Sequence, residues 1–447
     1  MTRLVTRTAA AIGAAACLVA GGLFAVRSGD GAQSASPPPA GAAVRANVDP
    51  LTSAIGQAGQ VAELQDAVKI RPDDAGLVAR LGLSYLQQAR ETGDPSLYTR
   101  ADELLRRART LEPTSLDAVV GLGSLALSRH EFQQALQLGQ EAVELTGGFS
   151  PAAKAIVGDA QIELGKYPQA FKTIDELGQQ RPSLVSYARQ SYALELQGDL
   201  SGAAELMADA VAGGAGGGEG TQWTRVQHAA LLVKLGRLDE AEVELRHALA
   251  ALPNYARAEA GLGAVAVARD DLAAAERWYA RAARHLPLAE ILVALGDVQT
   301  ARGETAAAKN SYALVRAEQD LFRAAGGNAD LELALFDADH GDRAEAVRLA
   351  RIAVQERPSV YAHDALGWAL YRSGDCGAAL SEARAANRMG SADPLLAYHL
   401  GAIAACAGER TEAVTALRRA QGDNPRFHPL YGPDAARLLA KLAEPVA

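Results

Sequence analysis

Aromatic side chains are scarce in this chain: Phe, Trp and Tyr make up only 5% of its 447 residues, so bulk burial must come from Ala, Leu and Val. Such a composition favours closely packed helices. No run of alternating β-branched residues is long enough to propose a sheet, and proline is sparse inside the periodic stretches. The expected fold class is therefore all-α. Metal and catalytic signatures are missing too. The eight histidines are scattered, with no H-E-x-x-H and no Cys-x-x-Cys, so no metal site is expected. No G-x-S-x-G nucleophile signature occurs. The glycine tract "AGGAGGGEG", residues 212–220, lacks the Lys-Ser or Lys-Thr of a phosphate loop and follows no strand. The expectation is a protein that is not an enzyme, with no catalytic residues and no cofactor.

The net charge is −9, but residues 1–45 hold Arg3, Arg7, Arg27 and Arg45 against Asp30 alone, which leaves −12 on the remainder. An acidic body disfavours nucleic acid as a partner. Ahead of that body, residues 1–8 carry Arg3 and Arg7, and residues 9–26 form an uncharged apolar run of 18, at the lower edge of what spans a bilayer as a helix. With the arginines retained inside, the rest of the chain is expected outside the cytoplasmic membrane, held by one N-terminal helix. Secretion after cleavage of the run as a signal peptide is the alternative. Lipid attachment at Cys17 is disfavoured, because "GAAAC" lacks the usual leucine and the apolar run continues past the cysteine. Residues 27–54, rich in Pro, Gly, Ala and Ser and without an apolar face, read as a disordered linker.

Beyond the linker one pattern returns many times. A Leu-Gly pair is followed after seven residues by a Gly or Asp turn, then by an Ala, an apolar residue and a further Ala, and often by Pro. Leu122-Gly123 leads to Ala135 and Ala142; Val157-Gly158 to Gly165, Ala170 and Pro182; Leu262-Gly263 to Ala275, Tyr279, Ala282 and Pro287. Leu295-Gly296, Leu366-Gly367 and Leu400-Gly401 begin the same course, and Leu81-Gly82 opens a first copy widened by an insertion. These residues resemble tetratricopeptide (TPR) repeats, helix-turn-helix units of about 34 residues. With Arg outnumbering Lys and with Ala and Gly in excess, the chain has the composition of a GC-rich bacterial genome.

The resemblance implies a superhelical solenoid of about ten repeats, capped at each end by a helix: an N-terminal half unit from about Ile55 to Ile70 and a C-terminal cap over residues 431–447. Residues 55–211 and 221–430 would form N- and C-terminal arrays, joined by the Gly-rich loop 212–220. The mid-helix glycines are expected to let the two helices of a unit touch backbone to backbone. Gly165, Gly236, Gly341 and Gly374 are expected to supply a positive φ at the turn.

First helices line the concave groove of such a stack, where a partner would bind. Toward the C-terminus that face carries Tyr361, Trp368, Tyr371, Arg372, Tyr398 and His399, an expected patch for a protein or peptide client. A glycan or another small ligand along the same groove is the alternative. The lysine and asparagine set with which some members of the family clamp a C-terminal carboxylate is absent from the matching positions. Antiparallel stacking would place Cys376 and Cys406 at the same end of the bundle, where a disulfide is expected if the body meets an oxidising compartment.

Overall fold

The computed structural model describes residues 50–214 and 218–443, with side chains from residue 60 onward. A single helix, α1 (Pro50–Ile70), comes first and begins inside the stretch expected to be linker. Ten antiparallel pairs follow: α2 (Ala75–Thr92) with α3 (Ser96–Leu111), α4 (Leu116–Ser128) with α5 (Phe132–Leu145), α6 (Pro151–Glu163) with α7 (Tyr167–Gln180), α8 (Leu184–Leu196) with α9 (Leu200–Ala212), and α10 (Glu219–Lys234) with α11 (Leu238–Ala251). The later five are α12 (Ala256–Ala268) with α13 (Leu272–His285), α14 (Ala289–Ala301) with α15 (Thr305–Ala324), α16 (Asp330–His340) with α17 (Arg343–Glu356), α18 (Val360–Arg372) with α19 (Cys376–Ala386), and α20 (Pro394–Cys406) with α21 (Arg410–Ala420). A last helix, α22 (Tyr431–Ala443), closes the stack. The described residues thus form an all-α, TPR-like solenoid of ten repeats with a helix at each end.

Local sequence sets these boundaries. Asp199, Asp271 and Asp375 each follow a tight turn and accept the backbone N–H three residues on, which starts the second helix of their repeats. The turn before Asp375 needs a left-handed residue, and Gly374 supplies it at φ +92. In two repeats His130 and Asp270 take that conformation instead, at φ 60 and 65. Gly341 departs from expectation: its φ is −138, and its constraint is steric, because a Cβ there would run into the Asp337 carboxylate and the Arg316 guanidinium.

The two helices of a repeat are built differently. Second helices are amphipathic; α7 buries Tyr167, Ala170, Ile174 and Leu177 on one face. First helices are buried nearly all round; in α6 ten of thirteen residues are buried, Lys154, Asp159 and Glu163 among them. The mid-helix glycines act mostly as holes for side chains rather than as backbone contacts. A Cβ on Gly263 would lie 2.9 Å from the Tyr279 ring, and one on Gly158 would lie 3.1 Å from Ile174. Gly123 faces Ile156 of the next repeat more closely than it faces its own second helix. Backbone approach of the expected kind occurs at Gly367, where Ala383 N would be 3.1 Å and Ala379 O 3.3 Å from a Cβ.

The coil is wound so tightly that successive turns touch. The turn of the second repeat meets the loop joining the seventh to the eighth: Asn328 N donates to Arg129 O at 2.9 Å, and His130 Nδ1 lies 2.9 Å from Asn328 O. One repeat later, Val360 N donates to the Tyr167 hydroxyl at 2.7 Å, and Gly165 sits against the Pro358 carbonyl. Gly198 likewise abuts the Gly390 carbonyl, and Gly236 the Asp423 carbonyl. Four consecutive turns rest on four consecutive loops and make a continuous seam. The tract at 212–220 does not break the stack, since Met207 and Trp223 on either side of it share one buried cluster.

No helix among the described residues is long and apolar enough to cross a membrane. That finding corrects the expectation of an extracytoplasmic chain anchored to the cytoplasmic membrane. The run 9–26 that prompted it, with Cys17 and most of the linker, lies outside the described residues.

Candidate functional site: a cavity between the coils

Five of the six groove residues named from sequence gather, and they do so as packing. Trp368 and His399, from α18 and α20, stack with ring centroids 4.0 Å apart, and Tyr398 stacks on Tyr431 at 4.9 Å. Trp368, Tyr398 and His399 are 1%, 3% and 2% exposed, too little for a client to reach. What covers them is the chain's own C-terminal segment, in which Phe427, His428 and Tyr431 lie across the concave face of the last repeats. Their polar tips are largely satisfied. Trp368 Nε1 donates to Asp339 at 3.0 Å, Tyr431 donates to the same carboxylate, and Arg372 pairs with it at 3.3 Å. Tyr398 donates to Asp434 at 2.7 Å. His428 and His340 both reach Asp297, and these hydrogen bonds hold its carboxyl well below the usual range although burial alone would raise it. Arg372 and Tyr371 remain half-exposed at the edge of the cluster. Tyr431 and the two histidines carried no signal in the repeat pattern, because they lie in the cap, in a loop and at a helix end.

The sixth residue, Tyr361, leads elsewhere. It lines a cavity of about 270 Å³ between α8 and α10 of the early repeats and α16, α18 and α20 of the late ones. The seam puts it there, because Val360 is pinned to Tyr167 of the preceding coil. Part of its lining is apolar, made by Met207, Leu231, Leu331, Leu335 and Leu395. The rest carries Glu195, Lys234, Glu332, Asp364 and Asp393, with Tyr192 and Tyr361. Ala230, at the rim, is exposed.

The Lys234 ammonium lies 2.7 Å from Glu195 and 2.5 Å from Asp393, which joins the two coils. Burial disfavours this charge, but the two carboxylates outweigh burial and raise its pKa well above the usual lysine range. In return Lys234 keeps the buried Asp393 carboxyl below its ordinary range. Asp364 pairs with His399 at 2.9 Å, and Glu332 with Arg357 at 3.5 Å. Tyr192 is 6% exposed; its hydroxyl, beside that of Tyr361, makes no hydrogen bond of good geometry. Just behind lies Glu163, whose pKa burial pushes up to about 7 against the pull of Arg357.

Cys376 and Cys406, at the start of α19 and the end of α20, are joined as a disulfide with Cα atoms 5.8 Å apart. No group of three or more His, Cys, Asp or Glu among the described residues is arranged to hold a metal ion.

No protein-family model matches the chain, and no curated protein matches it in sequence. Among solved structures it is similar to TTC0263, a thermophilic TPR protein of Thermus thermophilus, at 20% identity and TM-score 0.36, over 46% of this chain and 98% of that one. It is also similar to the APC/C hetero-tetramer Cut9-Hcn1, at 14% identity and TM-score 0.37, over 86% and 81% of the two chains. A third likeness is to human IFIT1 in its dimer with m7Gppp-AAAA, at 13% identity and TM-score 0.47, over 74% and 76%. Likeness at this level says nothing of a shared ligand.

Proposed function

We propose that this helical-repeat scaffold is a non-enzymatic binding protein whose client is a protein or peptide, held at the cavity between the coils. The reading rests on one observation: where the last first-helices are covered by the chain's own C-terminal segment, those around Ala230 leave an opening. Apart from Met207 on α9 and Asp393 at the cap of α20, its lining comes from first helices, the face that repeats of this kind turn toward partners. The acidic lining opposes nucleic acid. Selection of random displayed peptides against the full chain tests the reading. Enriched peptides should bind, and Ala230→Trp, which fills the exposed rim without touching an ion pair, should weaken them about tenfold or more at an unchanged melting temperature. Failure to enrich any peptide, or binding indifferent to Ala230→Trp, overturns it.

The enclosed form of the cavity favours a second reading, a carrier for a glycan or another small ligand. A small molecule that raises the melting temperature of the wild-type chain but not of Ala230→Trp, with no peptide enriched, would establish it.

A further inference from the structure

Resting on the peptide reading, we infer that the cavity is a recognition pocket for one basic side chain of the client, a lysine or an arginine. The argument begins with charge. Four carboxylates, Glu195, Glu332, Asp364 and Asp393, line the cavity, with Lys234 as the one basic residue among the lining groups. Adding Arg357, which pairs with Glu332 from behind, still leaves two negative charges in excess before any histidine is protonated. His130, 3.8 Å from Glu332, contributes none near neutral pH, because burial drives its pKa down to about 4. Carboxylates that outnumber the lysine and arginine beside them are stabilised by a further cation that enters.

The shape fits the same occupant. Met207, Leu231, Leu331, Leu335 and Leu395 offer apolar surface to a methylene stem, and the carboxylates in the same lining offer partners to its charged end. The rings of Tyr192 and Tyr361 present faces that attract a cation. The buried Tyr192 hydroxyl, which makes no hydrogen bond of good geometry, supplies an acceptor for an N–H donor. A volume of about 270 Å³ has room for one such side chain. An anionic group would find Lys234 already engaged by two carboxylates.

The experiment uses the full chain and defined probes. Titration calorimetry with Nα-acetyl-lysine methylamide and Nα-acetyl-arginine methylamide, against the norleucine analogue as an uncharged control, should show binding of the two cations alone. That binding should weaken as salt rises. Ala230→Trp and Gln227→Lys, both at the mouth, should each weaken it about tenfold. Equal binding of the norleucine analogue, or indifference to both variants, overturns the inference. Peptides that are enriched without a basic residue yet are lost with Ala230→Trp would sink the cation pocket and leave the scaffold standing. Cationic probes that bind while no peptide is enriched would do the reverse.

Discussion

The C-terminal aromatic cluster and the cavity both draw on tyrosines and carboxylates of first helices, and they end in opposite states. In the cluster the tips of Trp368, Tyr398 and Tyr431 end on Asp339 and Asp434, and the rings are buried. In the cavity the carboxylates outnumber the lysine and arginine that pair with them, the Tyr192 hydroxyl makes no hydrogen bond of good geometry, and Ala230 is exposed. The difference lies in what folds over each: the segment around Phe427 to Tyr431 covers one, while the other keeps Ala230 exposed in its lining. A residue type on a first helix therefore states what a surface is capable of, and the later course of the chain decides whether it is a surface at all.

The strongest way to break this contrast is Trp368→Ala. If the cluster is packing, the substitution costs about 3–5 kcal/mol in urea unfolding and leaves peptide affinity per folded molecule unchanged. Loss of affinity at constant stability would make the cluster a recognition surface after all. Next is the brace on the same region. Reduction should add the mass of two hydrogens, and Cys376→Ser should lower stability by about 3 kcal/mol for a loop of 30 residues. Two free thiols in non-reduced protein would remove the bond.

The seam that forms the cavity is probed by a pair of substitutions. Gly165→Ala meets both a φ of +68 and the Pro358 carbonyl of the next coil, for a cost of about 2–4 kcal/mol; Gly374→Ala meets a φ of +92 with open space around it, for about 1–2 kcal/mol. Equal costs would mean that the coils do not press together in solution. Tyr167→Phe removes the hydrogen bond that pins Val360 and should cost about 1 kcal/mol, with a larger loss in peptide affinity than Trp368→Ala causes.

The smallest effect is a pH slope. Glu163 has its pKa raised to about 7 in the folded chain, so between the unfolded value near 4.5 and 7 the folded state holds a proton that the unfolded state has released. Stability from this group is full below that window and is lost as pH rises through it. Glu163→Gln should therefore lose less stability than wild type between about pH 5 and pH 8, a difference in slope of order 1 kcal/mol per pH unit by denaturant titration. His130, lowered to about 4, acts in the opposite sense and is unaffected by the substitution. Parallel pH profiles would place Glu163 in contact with solvent.

The ten helix pairs were legible in the sequence because most repeats restate the same local rules: a small residue opposite a large one and a left-handed turn, joined in some by an Asp cap. The spacing that marks Leu262-Gly263 and Ala275 needs no knowledge of distant residues. What the glycine receives does, and so the Tyr279 ring in place of a touching backbone was not foreseen. The groove was misread for the same reason. Tyr361 and Trp368 sit seven residues apart on one helix, yet one opens on a cavity made by Lys234 and the other is roofed by Tyr431, contacts set by the pitch of the coil and the return of the tail. No repeat carries that pitch in its own residues.

The seam also governs how the molecule answers force. An open solenoid stretches and compresses alike, since neighbouring turns have space between them. Here the turns of repeats two to five already rest on the loops beyond repeats seven to ten, so the coil stands at its solid length: it resists shortening and yields only to extension, the first bonds to part being those at Tyr167, Arg129 and Lys234.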